Sequence, residues 1–206
     1  MNKFSTFLWR SAFWLRYKWW FGAKVYGRDK FPMEGPVIVV PNHLSNNDPP
    51  MCGHALPRHV HFMAKKELFI NPISRWICTW LGAFPLNRGT IDKEAIRHAM
   101  RLLKDKKVLG IFAEGHRQKP GKLGRFHDGA ASIALRTGIP VVPLALIGTS
   151  EMKKGYIAAI IGDPIEVEKG KPTPEAIKAL NDRIKAAIQT MIDDYNKGAY
   201  EGIDGY

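Results

Sequence analysis

The chain has 206 residues, 45% hydrophobic and 11% aromatic, enough to close one sizeable core with at most a small appendage. Its 31 Lys and Arg against 19 Asp and Glu give a net charge of +12, which favours an anionic partner. Cys52 and Cys78 are the two cysteines, so a disulfide framework is excluded and a reducing compartment is expected.

The first thirty residues carry half of the excess charge. Seven Lys or Arg less one acid, Asp29, leave +6 there, together with Trp9, Trp14, Trp19 and Trp20. Tryptophan interleaved with Lys and Arg suits the headgroup region of an anionic bilayer. The basic residues interrupt the apolar run far short of the ~20 residues a spanning helix needs. No small-residue cleavage site follows, as a secretory leader would require. Residues 1–27 are therefore expected to form a helical membrane-interface segment ahead of one domain over 28–206. A helix packed on the domain, or an arm for nucleic acid, is the competing reading of the same composition.

Beyond the arm, strands and helices alternate. Short apolar runs predict strands at Val37–Pro41, Val60–Ala64, Ala83–Leu86, Val108–Ala113 and Ile139–Ile147. A helix is expected from Asp92 to Lys104, with Ile96, Ala99 and Leu103 on one face. A second runs from Phe126 to Thr137 and stops at Gly138, where a left-handed cap fits. The last starts at Thr173-Pro174-Glu175 and repeats Ile177, Leu180, Ile184, Ile188, Met191 and Tyr195 at helical spacing. Such alternation predicts an α/β domain with a mostly parallel central sheet covered by helices. Ligands of such sheets bind beyond the carboxyl ends of the strands, and the polar motifs of this chain follow strands.

The first of those motifs is Asn42-His43-Leu44-Ser45-Asn46-Asn47-Asp48, between the strand at Val37–Pro41 and a helix start at Asp48-Pro49-Pro50, read with Asp48 as N-cap. In one continuous helix His43 and Asp48 would face ~140° apart. A turn through Ser45-Asn46-Asn47 lets them meet, and a carboxylate against imidazole makes a general-base pair. These residues alone also allow a packed polar histidine and a plain helix cap. Other motifs add chemistry. Arg88 follows the strand at Ala83–Leu86. Glu114, Gly115 and Arg117 follow the strand beginning at Val108, and Lys119 and Lys122 come between Arg117 and Arg125 with no acid among them. Arginine grips phosphate through a planar fork, which favours a phosphorylated ligand. His54, His59 and His61 lack the spacing and ligand mixture of a metal centre, and no metal is expected.

These blocks, in this order, resemble the glycerolipid acyltransferase family, in particular its bacterial 1-acyl-sn-glycerol-3-phosphate acyltransferases. The resemblance rests on Asn42-His43 with Asp48, Phe84 to Arg88, Phe112-Ala113-Glu114-Gly115-His116-Arg117 and the Val141–Pro143 strand, and spans about residues 35–150. The chain departs from the usual pattern in two places. Ala113 and His116 stand where proline and threonine are usual, and Phe126-His127-Asp128-Gly129 lacks a lysine at 127.

The resemblance implies acyl transfer from a thioester, on coenzyme A or acyl-carrier protein, to the sn-2 hydroxyl of lysophosphatidate. His43 is then the base and Asp48 its support, while Glu114 and Gly115 position the glycerol. Arg88, Arg117 and Lys122 hold the phosphate. No cofactor beyond the thioester co-substrate and no nucleic-acid partner is expected. Oxyanion donors are sought among backbone amides near the helix start after Asp48. The expected place is the cytoplasmic face of the cell membrane, held peripherally. An acyltransferase or transacylase for headgroup-bearing lysophospholipids, and a non-catalytic basic membrane- or nucleic-acid-binding protein, are the alternatives.

Overall fold

The computed structural model describes residues 15–87, 89 and 92–203. Among these residues seven strands, β1 (Lys24–Tyr26), β2 (Val37–Pro41), β3 (Val60–Lys65), β4 (Phe84–Leu86), β5 (Val108–Gly110), β6 (Val141–Ile147) and β7 (Ala158–Ile161), form one sheet. Their order is β1-β7-β6-β2-β5-β3-β4. From β6 to β4 all neighbours are parallel, while β7 runs antiparallel to β6 and carries β1 parallel to itself. The sheet is thus mostly parallel, as the alternation of elements requires. β5 is shorter than its apolar run suggests. Ile111 still donates to Val39 O, but a turn from Phe112 to Gly115 then takes the chain off the sheet.

Among the described residues there are five α-helices, α1 (Asp48–Ala55), α2 (Pro72–Trp80), α3 (Lys93–Lys104), α4 (Gly129–Thr137) and α5 (Pro174–Asn196), and all but α2 bury side chains in the core. Strand geometry sends alternate side chains to opposite faces. In β2, Ile38 and Val40 join the core under α3, α4 and α5, with Ala99, Leu103, Ala130, Ile184 and Ile188. Val37 and Val39 join a second core with Met51 and Leu56 of α1 and its flank, and with Tyr17 and Phe31. A strand covered on both faces explains why Val37–Pro41 reads as unbroken apolar sequence.

The caps follow their chemistry. Asp92 accepts from Glu94 N and Ala95 N, Thr173 accepts from Ala176 N, and Gly138 ends α4 with φ 69°. Two strands and one helix go beyond the predicted set: β1, β7 and α2. β1 lies inside the expected 1–27 segment, and Tyr17 is fully buried, so part of that stretch is built into the domain core.

Candidate active site

The turn between β2 and α1 is fixed from both ends. Asn42 places its side chain where a strand backbone would be, donating to Leu146 O at 3.0 Å and accepting from Leu146 N at 2.7 Å. At the far end the Asn47 side chain donates to Thr149 O at 3.2 Å. Ser45 Oγ also donates to Thr149 O, at 2.7 Å, and accepts from Asn47 N at 3.0 Å. Its hydroxyl is therefore committed to the turn rather than poised as a nucleophile. Tyr17 Oη donates to Asn47 O at 3.1 Å, tying the N-terminal element to the same loop.

Asp48 does not cap α1 as expected from the sequence. The N-cap is Asn47; a cap at Asp48 would draw on the N–H groups of positions 50 and 51, but Pro50 has none and Met51 N donates to Asn47 O. Asp48 instead folds back onto its own turn and is fully buried there. Its Oδ2 accepts from His43 Nδ1 at 2.7 Å, Leu44 N at 2.6 Å and Ser45 N at 2.8 Å. Its Oδ1 accepts from the hydroxyl of Thr149. Four donors satisfy a carboxylate that would otherwise be costly to bury.

Because Asp48 offers only acceptors to Nδ1, the proton of a neutral His43 sits on Nδ1 and Nε2 keeps its lone pair. The His43 ring stacks on Phe112, with centroids 4.2 Å apart, and its side chain keeps 13% of its surface exposed. A base held by a buried carboxylate, with an aromatic wall and an open edge, is suited to taking a proton from an alcohol.

Glu114 reaches the same place from β5. Val39 and Gly110 are register partners, and His43 and Glu114 each follow them by four residues at the carboxyl ends of adjacent strands. Gln118 N donates to His43 O at 2.8 Å, joining the two loops. Glu114 is buried and neither carboxylate oxygen completes a hydrogen bond among the described residues. Burial pushes its carboxyl up to about 7, with a smaller upward push from Asp48 and opposing pulls from the His43 and Gly124 amides and Lys185. Gly115 has φ 70°, and a Cβ there would stand 2.9 Å from the ring of His127. Only glycine meets both conditions.

The cations lie outside this buried centre. Arg117 and Lys122 are exposed on the loop between β5 and α4, and neither forms an ion pair among the described residues. Trp19 and Trp20 are exposed at the end of a π-helical turn, Leu15–Trp20. Arg88, Trp9 and Trp14 fall outside the described residues. The structure thus brings together His43, Asp48, Glu114 and Gly115 and leaves Arg117 and Lys122 exposed on the loop that follows Glu114.

The start of α1 supplies no free oxyanion donors. Asp48 N donates to Ser45 O, Pro49 and Pro50 have no N–H, and Met51 N donates to Asn47 O. Thr149 is the partner sequence reasoning missed. It lies 101 residues from Asp48, and only the pairing of β6 with β2 brings it near. Cys52 is fully buried behind the turn, and burial with the nearby Asp48 charge pushes its thiol well up, the opposite of an activated nucleophile. Among the described residues no group of three or more His, Cys, Asp or Glu is arranged to hold a metal.

Comparison with known proteins places this geometry. Residues 22–147 match the family model described as Acyltransferase. The 1-acyl-sn-glycerol-3-phosphate acyltransferase of Bacillus subtilis (strain 168) is 35% identical over 178 residues, covering 80% of this chain and 87% of the relative. The enzyme of that name from Streptococcus pneumoniae (strain ATCC BAA-255 / R6) is 30% identical, covering 84% and 67%. Against the chloroplastic relative of Arabidopsis thaliana, 31% identical over 74% of this chain, the match spans about half of the relative's length, 48%. The crystal structure of the 1-acyl-sn-glycerophosphate acyltransferase PlsC from Thermotoga maritima superimposes with a TM-score of 0.75 at 26% identity, covering 93% of this chain and 79% of that one.

Proposed function

The chain belongs to the acyltransferase family, and we propose that it moves a fatty acyl group from a thioester to the sn-2 hydroxyl of lysophosphatidate, forming phosphatidate for phospholipid synthesis. The observation that carries this reading is the 2.7 Å contact from His43 Nδ1 to fully buried Asp48, which leaves Nε2 to accept. His43 Nε2 takes the hydroxyl proton as the oxygen attacks the thioester carbonyl. Asp48 stabilises the imidazolium, which returns the proton to the sulfur when the C–S bond breaks. Such assistance contributes ~10²–10⁴ in rate. The acyl group passes directly between substrates, since Ser45 is committed to its turn and the Cys52 thiol is buried and disfavoured as thiolate.

Glu114 and Gly115 position the glycerol, and Arg88, Arg117 and Lys122 take the phosphate. The thioester supplies the activated acyl group, so no further cofactor enters, and either coenzyme A or acyl-carrier protein fits a chain of net charge +12. Among the described residues no helix is long and apolar enough to cross a membrane. Docking at the cytoplasmic face of the cell membrane through Trp19, Trp20 and the basic residues around them gives access to an acceptor that resides in lipid.

Acylation of headgroup-bearing lysophospholipids is the second reading. It is favoured by His127, which stands over Gly115 at the position where the family usually has a lysine. Mass spectrometry of products from mixed acceptors and thioesters on liposomes separates the two. Phosphatidate as the dominant product supports the proposal. Acylated lysophosphatidylcholine or lysophosphatidylethanolamine, with lysophosphatidate left intact, overturns it.

A further inference from the structure

Helix α2 is turned inside out for a soluble domain. Ile73, Trp76, Ile77 and Trp80 share one face by helical spacing, with Arg75, Cys78 and Thr79 away from it. Half-buried Ser74 and Cys78 turn toward the body and Trp80 is half-buried at the helix end, while Ile73, Trp76 and Ile77 are 71%, 65% and 42% exposed. Ile70, just before the helix, is 76% exposed, and Leu68 adds to the same patch. No residue of α2 is buried. The Trp76 and Trp80 rings stack at 6.0 Å, building a flat aromatic surface on a short rigid element. Such a contiguous exposed apolar patch on a domain that otherwise buries its core marks an interaction surface.

Topology says what that surface faces. α2 follows the carboxyl end of β3, which is parallel to β5 and β2, so it emerges at the same end of the sheet as His43 and Glu114. Trp19 and Trp20, 76% and 74% exposed, precede β1. Through β7, Lys24 of β1 is level with Ile147, the last residue of β6, so these tryptophans enter at that same end. The two aromatic elements therefore stand at opposite edges of the sheet order, with the β2 and β5 loops between them. Exposed cations accompany both: Lys66 and Arg75 on one side, Lys153 and Lys154 on the other. The Trp19–Trp20 side also borders an open hollow of about 430 Å³ lined by Phe21, Met152 and Lys154.

We propose that α2 is a second membrane foothold, seated across the active site from Trp19 and Trp20, so that the carboxyl ends of the strands face an anionic bilayer. Aromatic and aliphatic side chains insert at headgroup depth while the flanking cations meet anionic lipid. A foothold on each side fixes the tilt as well as the attachment of the domain, which a single N-terminal contact does not. The purpose of this arrangement rests on the lipid-acceptor reading, but docking is measured without turnover, so the two fail separately.

The test uses the full chain and vesicles of phosphatidylcholine with phosphatidylglycerol. A nitrobenzoxadiazole probe on Trp76→Cys in a Cys78→Ser protein should brighten and shift to the blue on vesicles and be quenched by brominated lipid; fully buried Cys52 stays unlabelled. Ile73→Gln with Trp76→Gln should lower the vesicle-bound fraction about tenfold or more. The same variant should keep its activity on a dispersed short-chain acceptor. A probe indifferent to vesicles overturns the proposal, whatever the double variant does. A dimer in plain buffer that the double variant dissociates also overturns it, because the face then belongs to a second copy.

Discussion

The turn at 43–48 and the loop at 115–125 follow neighbouring parallel strands, yet they are built in opposite ways. In the first, Asp48 is fully buried and holds four donors, three of them from its own turn. In the second, Arg117 and Lys122 are exposed without an ion pair among the described residues. Proton transfer demands a base fixed before substrate arrives, and buried, fully satisfied hydrogen bonds supply that rigidity. Recognition of a phosphate is served by cations left hydrated until the ligand orders them. Under the proposed reaction, the first loop sets the rate and the second the affinity.

Asp48→Asn attacks the rigid loop and carries the largest effect in this series. An amide can present its N–H₂ to Nδ1 and favour the wrong imidazole tautomer, so kcat should fall about 10²–10⁴-fold with KM little changed. Arg117→Ala attacks the open loop. The loss of charge-assisted bonds worth about 1.5–3 kcal/mol should raise KM for lysophosphatidate roughly tenfold to a hundredfold, with kcat and Tm nearly unaffected. Arg117→Lys should recover only part of it, since a point charge does not replace a fork. If both variants moved KM alone, the division between the loops would break.

Thr149→Val sharpens the comparison by removing one of the four donors. The buried Oδ1 loses its partner, at a cost of about 1–3 kcal/mol in stability, read as a lowered Tm, while kcat drops less than about tenfold because His43, Leu44 and Ser45 still hold Oδ2. Glu114→Gln is read in a different observable, the pH dependence of stability, and leaves the division between the two loops untouched. The Glu114 carboxyl lies near 7 in the fold against 4.5 as its ordinary value, so the native state binds more protons between them. Stability from this group is full below 4.5 and declines as pH rises to about 7. The Tm of the wild type relative to Glu114→Gln should fall across that window. His61, which burial lowers to about 4, gives a slope of opposite sign shared by both proteins, so the difference isolates Glu114.

Legibility in the sequence followed how local each cause is. β2 and α5 were readable because an apolar run or a long helical repeat carries its own pattern. His43 and Asp48 were readable as a pair because the turn between them is only four residues. Asp48 before Pro49 has the look of an N-cap, but Pro50 has no N–H to give it and the helix begins one residue earlier, with Met51 N bound to Asn47 O. β1 and β7 pair with each other across 134 residues from Lys24 to Ala158, and three or four residues show no period. α2 had a usable signal, Asn71 before Pro72 and four apolar residues at helical spacing. Thr149 had none: its role comes from the order of strands in the sheet.

The central claim is that His43 is the base for acyl transfer, and His43→Ala tests it most directly. The measurement is the rate of phosphatidate formation from lysophosphatidate and an acyl thioester on vesicles, with vesicle binding and Tm recorded on the same preparation. A loss of about 10²–10⁴-fold in kcat with binding and folding unchanged is the predicted result. A variant that still forms phosphatidate at the wild-type rate would contradict the account.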